Sequence, residues 1–223
     1  MSQSKTRPLV HVLMTGATGL VGSEVLRALL GAQDVCRVTS LGRRPSGEVH
    51  PKLTDVPVHD FGNSSELMPH LAGVDTVLRC LATYTAKVSR DQYTQITVDW
   101  LEALLRATER KAPEAHFGLF SASGARPEGG GISFALRTKG TAENRLFDAA
   151  LPRVCAFRPR AIAPTVARAV PTFADRIAKG LVTLLPFTGI SSRDLARAIL
   201  VLMRQQGQSI AVFENSDLRS ALG

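Results

Sequence analysis

The chain is poor in cysteine and in long apolar runs, and each shortage excludes a class of protein. No uninterrupted apolar segment approaches the roughly 20 residues that a membrane-spanning helix needs. The first seven residues are too polar for a secretory signal peptide. The cysteines are odd in number and lack metal-ligand spacing, so we expect buried free thiols at Cys36, Cys80 and Cys155. A reducing, cytoplasmic location follows from that expectation.

Acidic residues are scarce relative to basic ones: 19 against 27, which gives a formal net charge of +8. Such an excess is compatible with nucleic-acid binding. The arginines are spread along the whole chain, however, and form no basic run with interleaved aromatic residues. A solvated basic surface together with a phosphorylated cofactor accounts for the charge, so nucleic-acid binding is the least favoured function.

The chain does contain enough apolar sequence for one complete core: 44% of its 223 residues are hydrophobic. At this length we expect a single domain over residues 1–223. Strand-like apolar runs alternate with helical patterns, which predicts an α/β fold with a Rossmann-like, doubly wound parallel sheet. Residues 159–223 alternate less regularly, and we expect them to form a small C-terminal extension, a substrate-side lobe within the same domain.

The positions of the elements follow from hydrophobic periodicity. Strands are expected at residues 9–14, 35–41, 53–59, 74–81, 115–121 and 154–157, with a further short strand at 209–213. Helices are expected at residues 20–30, 64–71, 98–110, 133–150, 172–185 and 191–206, followed by a final short helix. No internal repeat and no low-complexity linker interrupts this order.

A glycine-rich turn joins the first predicted strand to the first predicted helix. It comprises Gly16, Ala17, Thr18, Gly19, Leu20, Val21 and Gly22. The three glycines allow a sharp turn, a close approach to a pyrophosphate and tight packing of the helix on the sheet. The helix N-terminus adds unpaired N–H groups and the positive end of its dipole. Because a strand precedes the turn and a helix follows it, the pattern predicts a dinucleotide-binding site.

The residues after the second strand indicate which dinucleotide is bound. An NAD-selective protein normally has an aspartate or glutamate there, which binds the ribose hydroxyls. This chain has Arg43 and Arg44 instead, and two guanidinium groups suit a 2′-phosphate. The alternative is an ordinary solvated basic turn. We therefore predict NADP as the cofactor.

Two other strand ends are candidates for cofactor contacts. Asp60 and Phe61 follow the third strand, where they would meet the adenine edge. Leu81, Ala82 and Thr83 end the fourth strand, which lies beside the glycine turn in any doubly wound sheet and would flank the ribose or diphosphate. Ordinary packing at a strand end explains the same residues equally well.

The candidate catalytic residues are Ser121 and Ser123, at the end of the fifth strand, and Lys139 on the following helix. Hydride transfer at a carbonyl uses such a hydroxyl and such a lysine, which binds the nicotinamide ribose and lowers the pKa of a neighbouring phenol. The phenol itself is missing, because Ala135 stands one helical turn before the lysine on the same face.

Seven segments together resemble the short-chain dehydrogenase/reductase superfamily, and more narrowly its atypical Tat-interacting oxidoreductase-like branch with its bacterial relatives. They are residues 15–22, 41–43, 80–83, 121–125, 137–140, 158–159 and 212–215, so the resemblance spans essentially the whole chain. It implies a Rossmann-like fold that binds NADP. The glycine turn would hold the diphosphate, Arg43 the 2′-phosphate and Lys139 the nicotinamide ribose.

The chain departs from this family at the reactive end of the cofactor. Family members commonly carry a tyrosine at the position of Ala135, a glycine at that of Ala82 and a glycine at that of Arg160. One hypothesis is an NADP-dependent oxidoreductase acting on a small carbonyl or alcohol. The proton for this reaction would come from a water molecule or from a substitute acid such as Tyr84. The simpler interpretation of Tyr84 is an aromatic residue in a loop without a chemical role.

The other hypothesis is an NADPH-binding regulatory or partner-binding protein with weak or no catalysis. The missing phenol beside a retained lysine favours this second possibility. The substrate, any protein partner and a homo-oligomeric state stay open under both hypotheses.

Overall fold

The computed structural model describes residues 8–83, 85–126, 133–165 and 189–223. Its main sheet contains β1 (His11–Thr15), β2 (Arg37–Gly42), β3 (Leu53–Pro57), β4 (Thr76–Arg79), β5 (His116–Phe120), β6 (Arg153–Arg158) and β9 (Ile210–Glu214). These seven strands lie in the order β3-β2-β1-β4-β5-β6-β9, and every neighbouring pair is parallel. This is the order of a doubly wound sheet, which confirms the predicted Rossmann-like fold.

Helices cover both faces of the sheet. They are α1 (Leu20–Gly31), α2 (Ser64–Leu67), α3 (Arg90–Thr94), α4 (Trp100–Lys111), α5 (Phe134–Phe147), α6 (Ser192–Arg204) and α7 (Asn215–Ser220). A π-helical segment, Gln95–Asp99, joins α3 to α4. Two short strands, β7 (Ala161–Ala163) and β8 (Gly189–Ser191), pair in parallel as a separate small sheet. They were not predicted, because three residues are too few to show a hydrophobic period.

Two hydrophobic cores lie on opposite faces of the sheet. In β1, Val12 and Met14 belong to the core beneath α1 and α6, whereas Leu13 belongs to the core beneath α2, α4 and α5. Side chains alternate between the two faces of a strand, so each central strand is buried on both sides. This double burial explains why these strands are almost continuously apolar in sequence.

Polar side chains determine where two helices begin. The side chain of Asn63 accepts a hydrogen bond from the Ser65 backbone N–H at the start of α2. Ser89 and Gln92 form a reciprocal capping box at the start of α3. The helical segment therefore begins at Arg90, earlier than the predicted residue 98, and reaches α4 through the π-helical segment.

Other sequence predictions have mixed outcomes. Cys80 and Cys155 are buried, but the prediction was wrong for Cys36, which is exposed just before β2. The residues after position 159 contribute to the main sheet and core, because β9 pairs with β6 and α6 packs in the same core as α1. The helix predicted at 172–185 lies outside the described residues.

The part of the chain that the structure describes contains no helix long and apolar enough to span a bilayer.

Candidate functional site

The carboxyl ends of β1 and β4 meet where the strand order reverses, which is the place where doubly wound sheets bind ligands. Gly16 follows β1 with a φ of +81°, in the left-handed region. A Cβ on Gly16 would lie 2.6 Å from the carbonyl carbon of Cys80, and one on Gly22 would lie 2.0 Å from the carbonyl oxygen of Gly16. These two positions admit only glycine, and the turn consequently lies directly against the backbone that follows β4.

The same turn forms the N-terminus of α1. Gly19 is the N-cap and donates its backbone N–H to the Gly16 carbonyl over 2.9 Å. A glycine cap has no side chain that occupies the first helical amides. The N-terminus therefore presents N–H donors and the positive end of the helix dipole beside the turn, an arrangement that fits the phosphates of a dinucleotide.

A first cavity, of about 400 Å³, lies between the turn and the end of β2, and we call it the basic cavity. Its lining residues are Gly16, Ala17, Thr18, Ser40, Leu41, Gly42, Arg43, Arg44, Phe61 and Leu81. Arg43 and Arg44 are both exposed. A Cβ on Gly42 would lie 2.9 Å from the Arg44 carbonyl oxygen, so this glycine permits the tight turn that places the two arginines.

The aromatic side of the basic cavity comes from Phe61, which stacks on Trp100 with 5.3 Å between ring centroids. The neighbouring Asp60 is directed elsewhere. Its Oδ1 accepts the backbone N–H of Gly62 at 2.8 Å, within its own turn. Of this predicted pair, the structure brings Phe61 into the cavity lining and turns the Asp60 carboxylate into the local loop.

A second cavity, of about 410 Å³, lies on the other side of the turn, and we call it the lysine cavity. Its lining includes Gly19, Leu20, Val21 and Gly22 from the turn, Cys80, Ala82 and Thr83 after β4, Ser121 and Ala122 after β5, Ala135 and Lys139 from α5, and Tyr93 and Arg160. The two predicted chemical elements, a strand-end serine and the helical lysine, therefore share one cavity with the glycine turn.

Lys139 is half-buried, and its Nζ lies 5.8 Å from the centroid of the Phe120 ring. Burial and the positive charge of Arg79 lower the pKa of Lys139 to about 8, although Glu143 raises it. Ser121 is 3% exposed, and its Oγ has no hydrogen-bond partner among the described residues. A buried hydroxyl without a protein partner is available to a ligand atom or a water.

Ser123 does not share this arrangement. Its Oγ donates to Glu214 over 3.2 Å. Arg158 binds the same Glu214 carboxylate at 3.0 Å and the buried Glu143 at 2.9 Å. This ionic network directs the Ser123 hydroxyl toward the end of β9. Of the two predicted serines, the structure places Ser121 beside Lys139 and ties Ser123 to Glu214.

Tyr84, the substitute acid considered from the sequence, lies outside the described residues. The other tyrosine, Tyr93, is 2% exposed and lines the lysine cavity. Its ring packs against Phe134 with centroids 5.8 Å apart, and burial raises the pKa of its phenol. The capping box at Ser89 was the sequence signal that would have placed Tyr93 on a helix beside the site.

Sequence reasoning also missed Arg79, the last residue of β4. It is 3% exposed, donating from Nη1 to the Leu81 carbonyl at 3.2 Å and from Nη2 to the Ile96 carbonyl. Burial lowers the pKa of its guanidinium to about 10. An arginine inside an otherwise apolar strand was the available signal, because such a residue is rarely buried without a specific role.

Known structures show the same fold. The thiolation-reductase di-domain of an archaeal non-ribosomal peptide synthetase superposes with a TM-score of 0.75 at 15% identity, over 99% of this chain and 76% of that one. The Bordetella bronchiseptica enzyme WbmH, solved in complex with NAD+, superposes with a TM-score of 0.69 at 20% identity, over 92% and 75% of the two chains. Identities this low show the fold alone.

Comparison of the sequence identifies a relative and a family. The Rattus norvegicus protein HTATIP2 is 30% identical over 151 residues, which are 66% of this chain and 61% of that protein. The chain thus covers less than two thirds of this relative's length. The model of the NAD-dependent epimerase/dehydratase family matches residues 12–149, more than half of the chain, from the second residue of β1 to just beyond the end of α5. The chain therefore belongs to the NAD-dependent epimerase/dehydratase family of the short-chain dehydrogenase/reductase superfamily.

Proposed function

We propose that this protein binds NADP(H) and acts as an oxidoreductase on a small carbonyl or alcohol substrate. One observation carries the proposal: the glycine turn borders two cavities of similar size, one with a pair of arginines and the other with Lys139 and Ser121. A dinucleotide has matching parts, with a phosphorylated adenosine at one end and the nicotinamide at the other. The diphosphate between them would lie on the N-terminus of α1.

Each part of the site has a role in this proposal. Arg43 and Arg44 bind the 2′-phosphate through charge-assisted hydrogen bonds. Lys139 binds the nicotinamide ribose, and the Ser121 hydroxyl orients the substrate oxygen. A bound nicotinamide supplies or accepts the hydride. The hydride transfer also requires a proton to be added to or removed from the substrate oxygen, by a group of the protein or by a water.

The cofactor assignment is tested by the double variant Arg43→Ala/Arg44→Ala. Two charge-assisted hydrogen bonds, each worth about 1.5 kcal/mol, predict about 100-fold weaker NADPH binding. NADH binding should change by less than about threefold, because NADH lacks the 2′-phosphate. Fluorescence titration of the reduced nucleotides measures both affinities.

The matched control is Arg110→Ala/Lys111→Ala, which also removes two exposed positive charges but does so at the end of α4, away from both cavities. This control should bind NADPH as the unmodified protein does. An unchanged preference for NADPH in the Arg43/Arg44 variant would refute the assignment of the 2′-phosphate. A protein that binds neither reduced nucleotide would refute the proposed function as a whole.

Ala135 favours a second candidate function, an NADPH-binding protein whose cofactor stabilises the fold or alters a surface that a partner recognises. A phenol is absent from the helix face that leads to Lys139, and general acid catalysis is worth about 10²–10⁴ in rate. Turnover of a panel of small aldehydes, ketones and alcohols separates the two functions. Robust turnover by the unmodified chain rejects the second candidate, whereas turnover gained only in Ala135→Tyr supports it.

A further inference from the structure

The face of α5 that borders the lysine cavity contains Ala135, Lys139 and Glu143, spaced four residues apart. Side chains at this spacing lie above one another on a helix. Ala135 is a single methyl group, so the cavity of about 410 Å³ extends along the helix to Lys139. On this face, Lys139 is the first side chain after Ala135 that can carry a proton.

A much smaller space of about 10 Å³, close to the volume that a single water occupies, shares part of its lining with the lysine cavity. Lys139 and Ser121 line both spaces. The small space is also lined by Arg79, Tyr93 and Thr97. Two side chains that are normally cationic, the half-buried Lys139 and the buried Arg79, therefore line the same small space.

The charges around Lys139 do not neutralise the effect of the nearby Arg79 guanidinium on it. Arg79 donates to the carbonyl oxygens of Leu81 and Ile96, which carry no net charge. Glu143 is already bound by Arg158 at 2.9 Å. Among the described residues, the ionisable groups that line these spaces or act on Lys139 are Arg79 at the end of β4, Cys80 just after it, Tyr93 from α3, Glu143 from α5 and Arg160 after β6.

Building on the proposed function, we propose that Lys139 itself donates the proton to the substrate oxygen, in the space left by Ala135, and that Arg79 is the positioning residue that tunes it. When bound, the reduced nicotinamide would supply the hydride that the carbonyl carbon takes up. The Lys139 ammonium gives its proton to the oxygen as the carbon–oxygen π pair becomes a lone pair. The products are an alcohol, the oxidised nicotinamide and a neutral lysine amine, and the amine then regains a proton from water.

The environment of Lys139 suits this role. A general acid works best when its pKa lies near the working pH, and a lysine acquires such a pKa through burial and a second cation. Here burial comes first and Arg79 second, and together they lower the pKa of Lys139 to about 8. The reduction rate should therefore fall as pH rises through about 8, because the acid form is lost.

The first test titrates Lys139 without any substrate. Acetic anhydride acetylates an amine only in its neutral form. The extent of labelling of the Lys139 peptide, measured by mass spectrometry across pH 6–11, therefore follows the titration of Lys139. The exposed Lys111 in the same sample serves as reference. Arg79→Gln removes the charge but keeps donors for the two carbonyls, and should raise the Lys139 midpoint by about one pH unit. Arg79→Lys retains the charge and should leave the midpoint near that of the unmodified protein. Equal midpoints in Arg79→Gln and the unmodified protein overturn the proposal.

The second test follows reduced-nucleotide oxidation with small aldehydes and ketones at saturating cofactor. The descending limb of kcat should lie near pH 8 and move up by about one pH unit in Arg79→Gln. Lys139→Met should lower kcat about 10²–10⁴-fold. The proposal is overturned if Tyr93→Phe causes that loss and Lys139→Met does not, since the donor is then the phenol.

Cofactor binding and the proton-donor role of Lys139 can fail separately. A protein that binds NADPH but reduces none of the carbonyl compounds at any pH overturns the proton-donor role of Lys139 and leaves cofactor binding intact. A protein that binds neither nucleotide refutes the proposed function. The labelling titration still reports in that case whether Arg79 depresses the Lys139 midpoint.

Discussion

Replacement of Gly22 by alanine tests the glycine turn most directly, because its surroundings are backbone atoms that cannot rotate away. An alanine Cβ would lie 2.0 Å from the carbonyl oxygen of Gly16 and 2.8 Å from its carbonyl carbon. Contacts of a Cβ under 3.0 Å are essentially never seen in proteins, so α1 or the turn has to shift by about 1 Å to relieve the shorter contact.

A shift of this size acts on stability and on binding. Overpacking of a close-packed region costs about 1–3 kcal/mol, and here the 2.9 Å hydrogen bond from Gly19 to Gly16 lies directly at the displaced contact. We therefore expect Gly22→Ala to lose about 2–3 kcal/mol of unfolding free energy. NADPH affinity should fall more than about tenfold, because the amides at the N-terminus of α1 move relative to the phosphates.

Urea denaturation measures the stability change, and fluorescence titration with NADPH measures the affinity. Gly31→Ala is the matched control at the other end of α1, where a Cβ would meet nothing within 4 Å apart from its chain neighbours and the backbone of its own helix. It should be neutral or stabilising by up to about 1 kcal/mol, since alanine favours helix more than glycine does. If Gly22→Ala matches Gly31→Ala in both measurements, the structural interpretation of the turn is wrong.

Three further predictions concern charged and titratable groups. Burial lowers the pKa of His11, so the native state should lose stability as pH falls below about 6.5. The variant His11→Gln should lose less stability over this range. The prediction fails if the urea midpoints of this variant at pH 5 and pH 7 differ as much as those of the unmodified protein. Glu143→Gln leaves the Arg158 guanidinium without its buried carboxylate and should cost about 3 kcal/mol; a calorimetric melting temperature equal to that of Arg110→Ala would argue against this. Arg204 lowers the pKa of Asp34. Because the pair is partly exposed, Asp34→Asn should lower the free energy of unfolding by only about 1 kcal/mol at pH 7. Below the lowered pKa of Asp34, the variant and the unmodified protein should be equally stable in an acid titration.

Much of the architecture was predictable because its causes are local. Strands buried on both faces show continuous apolar runs, and Val12 to Met14 display this pattern plainly. The turn at Gly16 could be recognised because glycine adopts a positive φ without steric cost. The beginning of α3 was not predicted, although Ser89 and Gln92 have the spacing of a capping box and gave a local signal for it.

The composition of the lysine cavity was less predictable. Ser121 and Ser123 are two residues apart after the same strand, and neither local pattern nor propensity distinguishes them. Glu214, 91 residues further along the chain, binds the Ser123 hydroxyl and leaves Ser121 facing Lys139. The position of Arg79 depends in the same way on Ile96, which belongs to a π-helical segment that has no clear sequence signature.

By itself, the sequence determined the doubly wound α/β fold and the place of the glycine turn between β1 and α1. Hydrophobic periodicity and the conformational freedom of glycine act over a few residues, so both can be read along the chain. Only the tertiary structure decided which polar groups share a cavity with Lys139. That outcome depends on contacts between distant segments, such as Ser123 with Glu214 and Arg79 with Ile96. It also depends on burial, which lowers the pKa of Lys139 to about 8.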